Sequence, residues 1–206
     1  MKLVCFAVKE EAPAYRKQAG AHSGVATLVT GMGRKNAETA VRHFLASQPV
    51  ELVFTCGFAG GLDPQLAAGA VVFETTDTDL AARLTAAGAT PARILCADRV
   101  AVTAAEKSVL RKTTGADAVE MESAAIQSVC RELTLPCATV RVISDTAGED
   151  LPLDFNQLYR PDMTLDFGKL GWTIAKAPWK IGGLLRLQKR CQFAAERLAA
   201  VLVRVI

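Results

Sequence analysis

Short unbroken apolar runs alternate with stretches in which apolar residues recur every three or four positions, and this alternation continues as far as Asp145. A short unbroken run reads as a strand buried on both faces, and the wider spacing as a helix with one face inward. The expected strands are Lys2 to Val8, Val25 to Thr30, Leu52 to Thr55, Ala70 to Thr75 and Ala138 to Ser144, with shorter ones at Ile94 to Ala97 and Val100 to Val102. The expected helices are Glu10 to Gln18, Arg34 to Ser47, Ala104 to Thr113 and Ser123 to Leu133. Strands alternating with helices predict an α/β protein of three αβα layers around a mixed, mostly parallel sheet. The 206 residues suffice for one domain, 1–206, with a sizeable core.

Beyond Asp145 the pattern changes. Thr146 to Asp166 is polar and loop-like; Trp172, Pro178-Trp179 and Gly182-Gly183 follow, then a helical pattern from Leu184 to the end. Leu184, Leu187, Cys191, Ala194 or Ala195, and Leu198 to Leu202 make its apolar face. From Gly168 to Ile206 eight Lys and Arg residues face one acid, Glu196, so a chain of net charge +3 splits into +7 there and −4 elsewhere. One reading of this extension, about 166–206, is a helix packed on the sheet with a solvated basic side. The other is a basic amphipathic surface for a membrane or a lipid-like substrate.

Composition narrows the class. Half the residues are hydrophobic, and the six cysteines are scattered without a CxxC pair. In apolar segments a thiol behaves as a small hydrophobe, so reduced cysteines in a cytoplasm are expected. With two histidines in the chain, no metal site is expected. The apolar run Leu3 to Val8 is too short for a secretion signal, and no run approaches the ~20 apolar residues of a membrane-spanning helix.

Candidate chemistry gathers at strand ends. In open α/β sheets ligands bind beyond the carboxyl ends of strands. Glu10-Glu11 follows the first strand there, and Arg141-Val142-Ile143-Ser144-Asp145 closes the last one. Ala118-Val119-Glu120-Met121-Glu122-Ser123 sets two carboxylates at the entry to an alanine-rich helix. Paired acids suit cleavage of a glycosidic bond, one protonating the leaving group while another organises the sugar. Two glycine-rich stretches, Gly31-Met32-Gly33 and Gly57-Phe58-Ala59-Gly60-Gly61-Leu62, allow close backbone approach to a ligand. Each also reads as a plain turn or bulge.

Taken in order, Val8-Lys9-Glu10-Glu11, Gly31-Met32-Gly33, Cys56 to Gly61, Val119-Glu120-Met121-Glu122 and Val142-Ile143-Ser144-Asp145 resemble the purine and uridine phosphorylase superfamily. Within it they are most similar to the methylthioadenosine/S-adenosylhomocysteine nucleosidases, over about residues 1–150. The resemblance implies cleavage of a purine nucleoside with no metal or organic cofactor; phosphate is a co-substrate only in a phosphorylase. It assigns Asp145 as the acid toward the departing purine, Glu122 to the ribose hydroxyls, Met121 to the sugar face and Glu11 to the attacking water. Arg141 would set the position and charge of Asp145. Glu120, Phe58, Ala59, Gly60, Val100 and Gly31 complete the expected substrate-binding set.

The chain departs from the pattern in four places. Thr55 and Phe58 stand where phosphorylases carry an arginine and a hydroxyl residue for phosphate, which favours water as nucleophile; Arg34 keeps phosphorolysis open. Val100 and Ala101 replace an aromatic residue that stacks on the base. The stretch between Thr75 and Ile94 is short and lacks the segment that, in relatives, closes over substrate and reaches a neighbour's site, so a homodimer is left open. The basic, Trp-containing tail resembles that of the hopanoid-associated phosphorylases. That likeness implies adenine release from a 5′-substituted or lipid-linked adenosine, by an enzyme peripheral to the inner face of the membrane. A nucleotide-binding module without catalysis is the non-enzyme alternative, and nucleic acid is not an expected partner because the tail carries no recognition motif.

Overall fold

The computed structural model describes residues 1–20 and 24–206. Its strands are β1 (Lys2–Phe6), β2 (Val25–Val29), β3 (Leu52–Gly61), β4 (Val71–Thr75), β5 (Thr90–Pro91), β6 (Ile94–Cys96), β7 (Ala118–Glu120) and β8 (Cys137–Asp145). The helices are α1 (Ala12–Ala19), α2 (Arg34–Ser47), α3 (Thr78–Ala86), α4 (Ala104–Thr114), α5 (Ser123–Glu132), α6 (Phe167–Lys176) and α7 (Ile181–Val205). The strands form one sheet in the order β2-β1-β3-β8-β4-β5, with β7 pairing to β3 and β6 to β7. Only the β3–β7 and β4–β8 pairings are antiparallel. This is the mixed, mostly parallel three-layer α/β architecture that the hydrophobic pattern predicts.

Both faces of the sheet are covered, which is why its strands read as unbroken apolar runs. On one face Val4, Phe6, Phe54, Val140 and Val142 pack with Tyr15 of α1, Leu80 and Leu84 of α3, and Leu198 and Leu202 of α7. On the other, Leu3, Cys5 and Val53 meet Ala37 and Val41 of α2 and Ile126 and Val129 of α5.

Two local expectations need correction. Gly57 to Gly61 is no loop but the second half of β3, held by the parallel β8 on one side and by β7 on the other. The ladder shifts register between Ala59 and Gly60, and this bulge brings Gly60 opposite Asp145. Val100 to Val102 is irregular rather than a strand; Ala118 to Glu120 forms an added short strand, after which the expected helix opens at Ser123 with Glu122 at its cap. The stretch between Thr75 and Ile94 folds as α3 and β5, with Asp77 capping α3 through a bond from the Leu80 N–H.

Candidate active site

Four of the expected acids, Glu11, Glu120, Glu122 and Asp145, are buried around the carboxyl ends of β1 and β8 and the end of β7. Glu11 immediately precedes α1, whereas its neighbour Glu10 is exposed. The Glu11 carboxylate accepts backbone N–H bonds from Ala7 (2.9 Å), Val8 (3.1 Å) and Phe58 (2.7 Å). Gly57, at φ +149°, makes room for it, since a Cβ there would stand 2.5 Å from Glu11 Oε1. The glycine stretch thus brings backbone up to a carboxylate. Burial pushes the Glu11 carboxyl up to about 7, against the bonds from Phe58 and Val8 and the Arg141 charge.

Arg141 stands among the glutamates. Its guanidinium is 2.5 Å from Glu120, 3.1 Å from the Thr55 hydroxyl and 3.9 Å from Glu122. Burial opposes its charge, but Glu120, Glu122 and Glu11 outweigh that and hold it protonated. Burial likewise raises Glu120, yet Arg141, the Ser123 hydroxyl and the Glu122 N–H prevail and keep its carboxyl below the usual range. Glu122 is raised by burial despite Arg141, and its Oε1 accepts the Gly33 N–H at 2.9 Å. The Gly31-Met32-Gly33 turn, with both glycines at φ +82°, therefore serves Glu122 at the start of α2.

Asp145 ends β8 beside Gly60, where a Cβ would lie 3.3 Å from its Oδ2. The Ser144 hydroxyl donates to its Oδ1 at 2.7 Å, and Lys107 of α4 forms an ion pair with Oδ2. Lys107 is wholly buried and donates further to the carbonyls of Thr146 (2.8 Å) and Glu149 (2.9 Å). This corrects the role expected of Arg141: the cation on Asp145 is Lys107, and Arg141 balances Glu120. The sequence reading missed Lys107 because a lysine between Glu106 and Ser108 looks solvated. The available signal was its spacing three residues before Leu110, which packs inward, while Val109 is turned out.

Met121 lines an open cleft of about 450 Å³ with Gly33, Arg34, Asn36, Ala97 and Met163. Phe58 packs partly into the core through its side chain, while Ala59 is buried and its carbonyl accepts from Ser144. Val100 is tied to Asn156, donating its N–H to Oδ1 at 2.9 Å and accepting from Nδ2 at 3.0 Å. Arg34, the candidate phosphate contact, is paired with Asp98 at 3.0 Å and bonded to the Cys96 carbonyl. Among the described residues no three His, Cys, Asp or Glu side chains gather as a metal site.

Residues 89–167 match the family model described as the phosphorylase superfamily. A 5′-methylthioadenosine/S-adenosylhomocysteine nucleosidase of Anoxybacillus flavithermus is 30% identical over 171 residues, 66% of this chain and 73% of the relative. An aminodeoxyfutalosine nucleosidase of Campylobacter jejuni is 43% identical over 53 residues, covering 26% of this chain and 23% of its own. The fold matches the Helicobacter pylori methylthioadenosine/S-adenosylhomocysteine nucleosidase bound to butyl-thio-DADMe-Immucillin-A, with TM-score 0.73 at 16% identity, over 98% of this chain and 95% of that one. The Neisseria meningitidis nucleosidase with methylthio-immucillin-A gives TM-score 0.73 at 20% identity, over 99% and 97%. With its carboxylates set on this sheet and its sequence matched along most of a relative's length, the chain belongs to the phosphorylase superfamily.

Proposed function

We propose that this protein is a nucleosidase that cleaves the N-glycosidic bond of an adenine nucleoside with water as nucleophile. The observation that carries the reading is Glu11: a buried carboxylate held by three backbone N–H groups, with its pKa brought to about 7. A base poised near neutral pH suits abstraction of a proton from water. Water attacks C1′ as the bond from C1′ to the purine nitrogen breaks; Glu11 takes the water proton. The Lys107 ammonium passes a proton to the Asp145 carboxylate it is bonded to, and Asp145 relays it to the departing purine nitrogen. Glu122 accepts from the ribose hydroxyls, and the ring of carboxylates opposes the positive charge that develops on the sugar.

Water rather than phosphate is favoured by the chemistry of β3. Thr55 is engaged by Arg141, and Phe58 offers no side-chain donor to an anion. For the 5′ side the finer form of the proposal is an apolar, lipid-linked substituent, with a place of work in the cytoplasm against the inner face of the membrane. Its support is the exposed basic and aromatic segment that follows the site.

The test is base release from adenosine, 5′-methylthioadenosine, S-adenosylhomocysteine and an adenosyl-lipid, each with and without phosphate, beside the Asp145→Asn variant. Phosphate-independent release that the variant loses is expected. Release that requires phosphate would make the enzyme a phosphorylase, and no release from any of the four would sink the reading.

A further inference from the structure

From Tyr159 to Phe193 no residue is buried, although the segment carries Leu165, Phe167, Leu170, Trp172, Ile174, Trp179, Ile181, Leu184, Leu185 and Leu187. α6 buries no side chain at all, and Phe167 and Trp179 are each 75% exposed. Between Phe167 and Ala195 the chain has six cations and no acid. Of these, Arg190 is paired with Glu149, and Lys176 lies over the Trp172 ring at 4.8 Å. Lys169, Lys180, Arg186 and Lys189 have no acidic partner among the described residues.

We infer that this arm, α6 with the first half of α7, docks on an anionic phospholipid surface. Aromatic and aliphatic side chains standing free among lysines match what an interfacial helix offers, the rings entering the headgroup layer and the cations meeting lipid phosphates. No helix among the described residues is long and apolar enough to cross a membrane, so the arm lies on the surface. A second copy of the chain is the poorer occupant. A two-fold interface would set this acid-free cationic face against itself.

The arm is mounted on the body rather than hung from it. The Arg190–Glu149 pair and the close approach of Gly183 to Pro152 fix α7 to the loop after Asp145, and Phe193 lies against Gly69 ahead of β4. That loop also supplies the Thr146 and Glu149 carbonyls that hold Lys107. Docking therefore turns the segment beside the site toward the bilayer. The docking stands on the arm alone; its use in reaching a lipid-linked nucleoside rests on the functional reading above.

Both tryptophans of the chain lie on the arm, so tryptophan emission reports on it directly. The full chain is mixed with sucrose-loaded vesicles of phosphatidylcholine alone or with phosphatidylglycerol, and sedimentation and emission are read together. Sedimentation with the anionic vesicles, a blue shift, and release by salt are expected. Changing Lys176, Lys180 and Lys189 to Gln should weaken binding about a hundredfold, at about fivefold per charge removed. Trp172→Ala with Trp179→Ala should weaken it too, while hydrolysis of a soluble nucleoside is unchanged. Equal binding to both vesicle types would overturn the inference. So would no binding with a concentration-dependent dimer in sedimentation velocity. Because lipid binding is read without turnover, an inactive protein that binds sinks the function and leaves the docking standing.

Discussion

The two halves of α7 are one continuous helix, the second richer in apolar residues, and they do opposite things. From Ala194 onward Ala194, Ala195, Leu198, Ala199, Val201, Leu202 and Val205 are buried against the sheet. From Ile181 to Phe193 none is buried, and Ile181, Leu185 and Phe193 are each more than two-fifths exposed. The hydrophobic pattern is the same in kind; what differs is whether a sheet lies beneath it. The first case is core, and the second is a surface waiting for another solvent.

The largest effect that sharpens this contrast belongs to the body of the protein. Asp145→Asn should cut turnover by about 10²- to 10⁴-fold, measured as base release, because general-acid assistance is lost. Trp179→Ala on the arm should leave turnover of a soluble nucleoside unchanged; a comparable loss from both would erase the distinction. Next comes Lys107→Met, which strands the Asp145 carboxylate in a buried position. Chemical denaturation should show a loss of about 3–5 kcal/mol.

Leu202→Ala, at a fully buried position, should cost about 2–5 kcal/mol in the same measurement. The buried half also carries a pH signature through Glu11. Its folded carboxyl sits near 7 against an ordinary 4.5, so the folded state binds the proton more tightly. Stability is then full below about pH 4.5 and declines toward pH 7, by about 3 kcal/mol in all. Hydrolysis, which needs the carboxylate, should rise over an ascending limb of kcat/KM centred near 7. A limb absent from a profile taken across pH 5 to 9 would remove Glu11 from the role of base. The smallest effect is Leu185→Ala, expected within about 0.5 kcal/mol of wild type. A loss as large as that of Leu202→Ala would mean that the arm is core after all.

Much of the frame was legible in the chain. The runs in β1, β4 and β8 announce doubly covered strands, and the spacing in α2 gives its limits to the residue. α3 carried a readable signal as well, an Asp77 cap with Leu80 and Leu84 one turn apart, as did α6 with Asp166 capping it and Phe167, Leu170 and Ile174 in register. Glu11, Glu122 and Asp145 were legible because several acids fall together along the strand-end edge where ligands bind in open α/β sheets.

What sequence alone determined is the alternation of strands and helices, the buried faces, and the choice of carboxylates at the strand ends. Local periodicity and side-chain chemistry carry that information within a dozen residues. Tertiary structure decided the rest. Gly57 to Gly61 became a strand only because β7 and β8 offered it partners from far along the chain. Arg141 turned to Glu120, and Lys107 to Asp145 across 38 residues, because a buried charge must find its opposite wherever the fold brings one. The exposure of the arm was decided the same way: its sequence reads either as a helix packed on the sheet or as an amphipathic surface, and only the position of the sheet left its leucines and tryptophans uncovered.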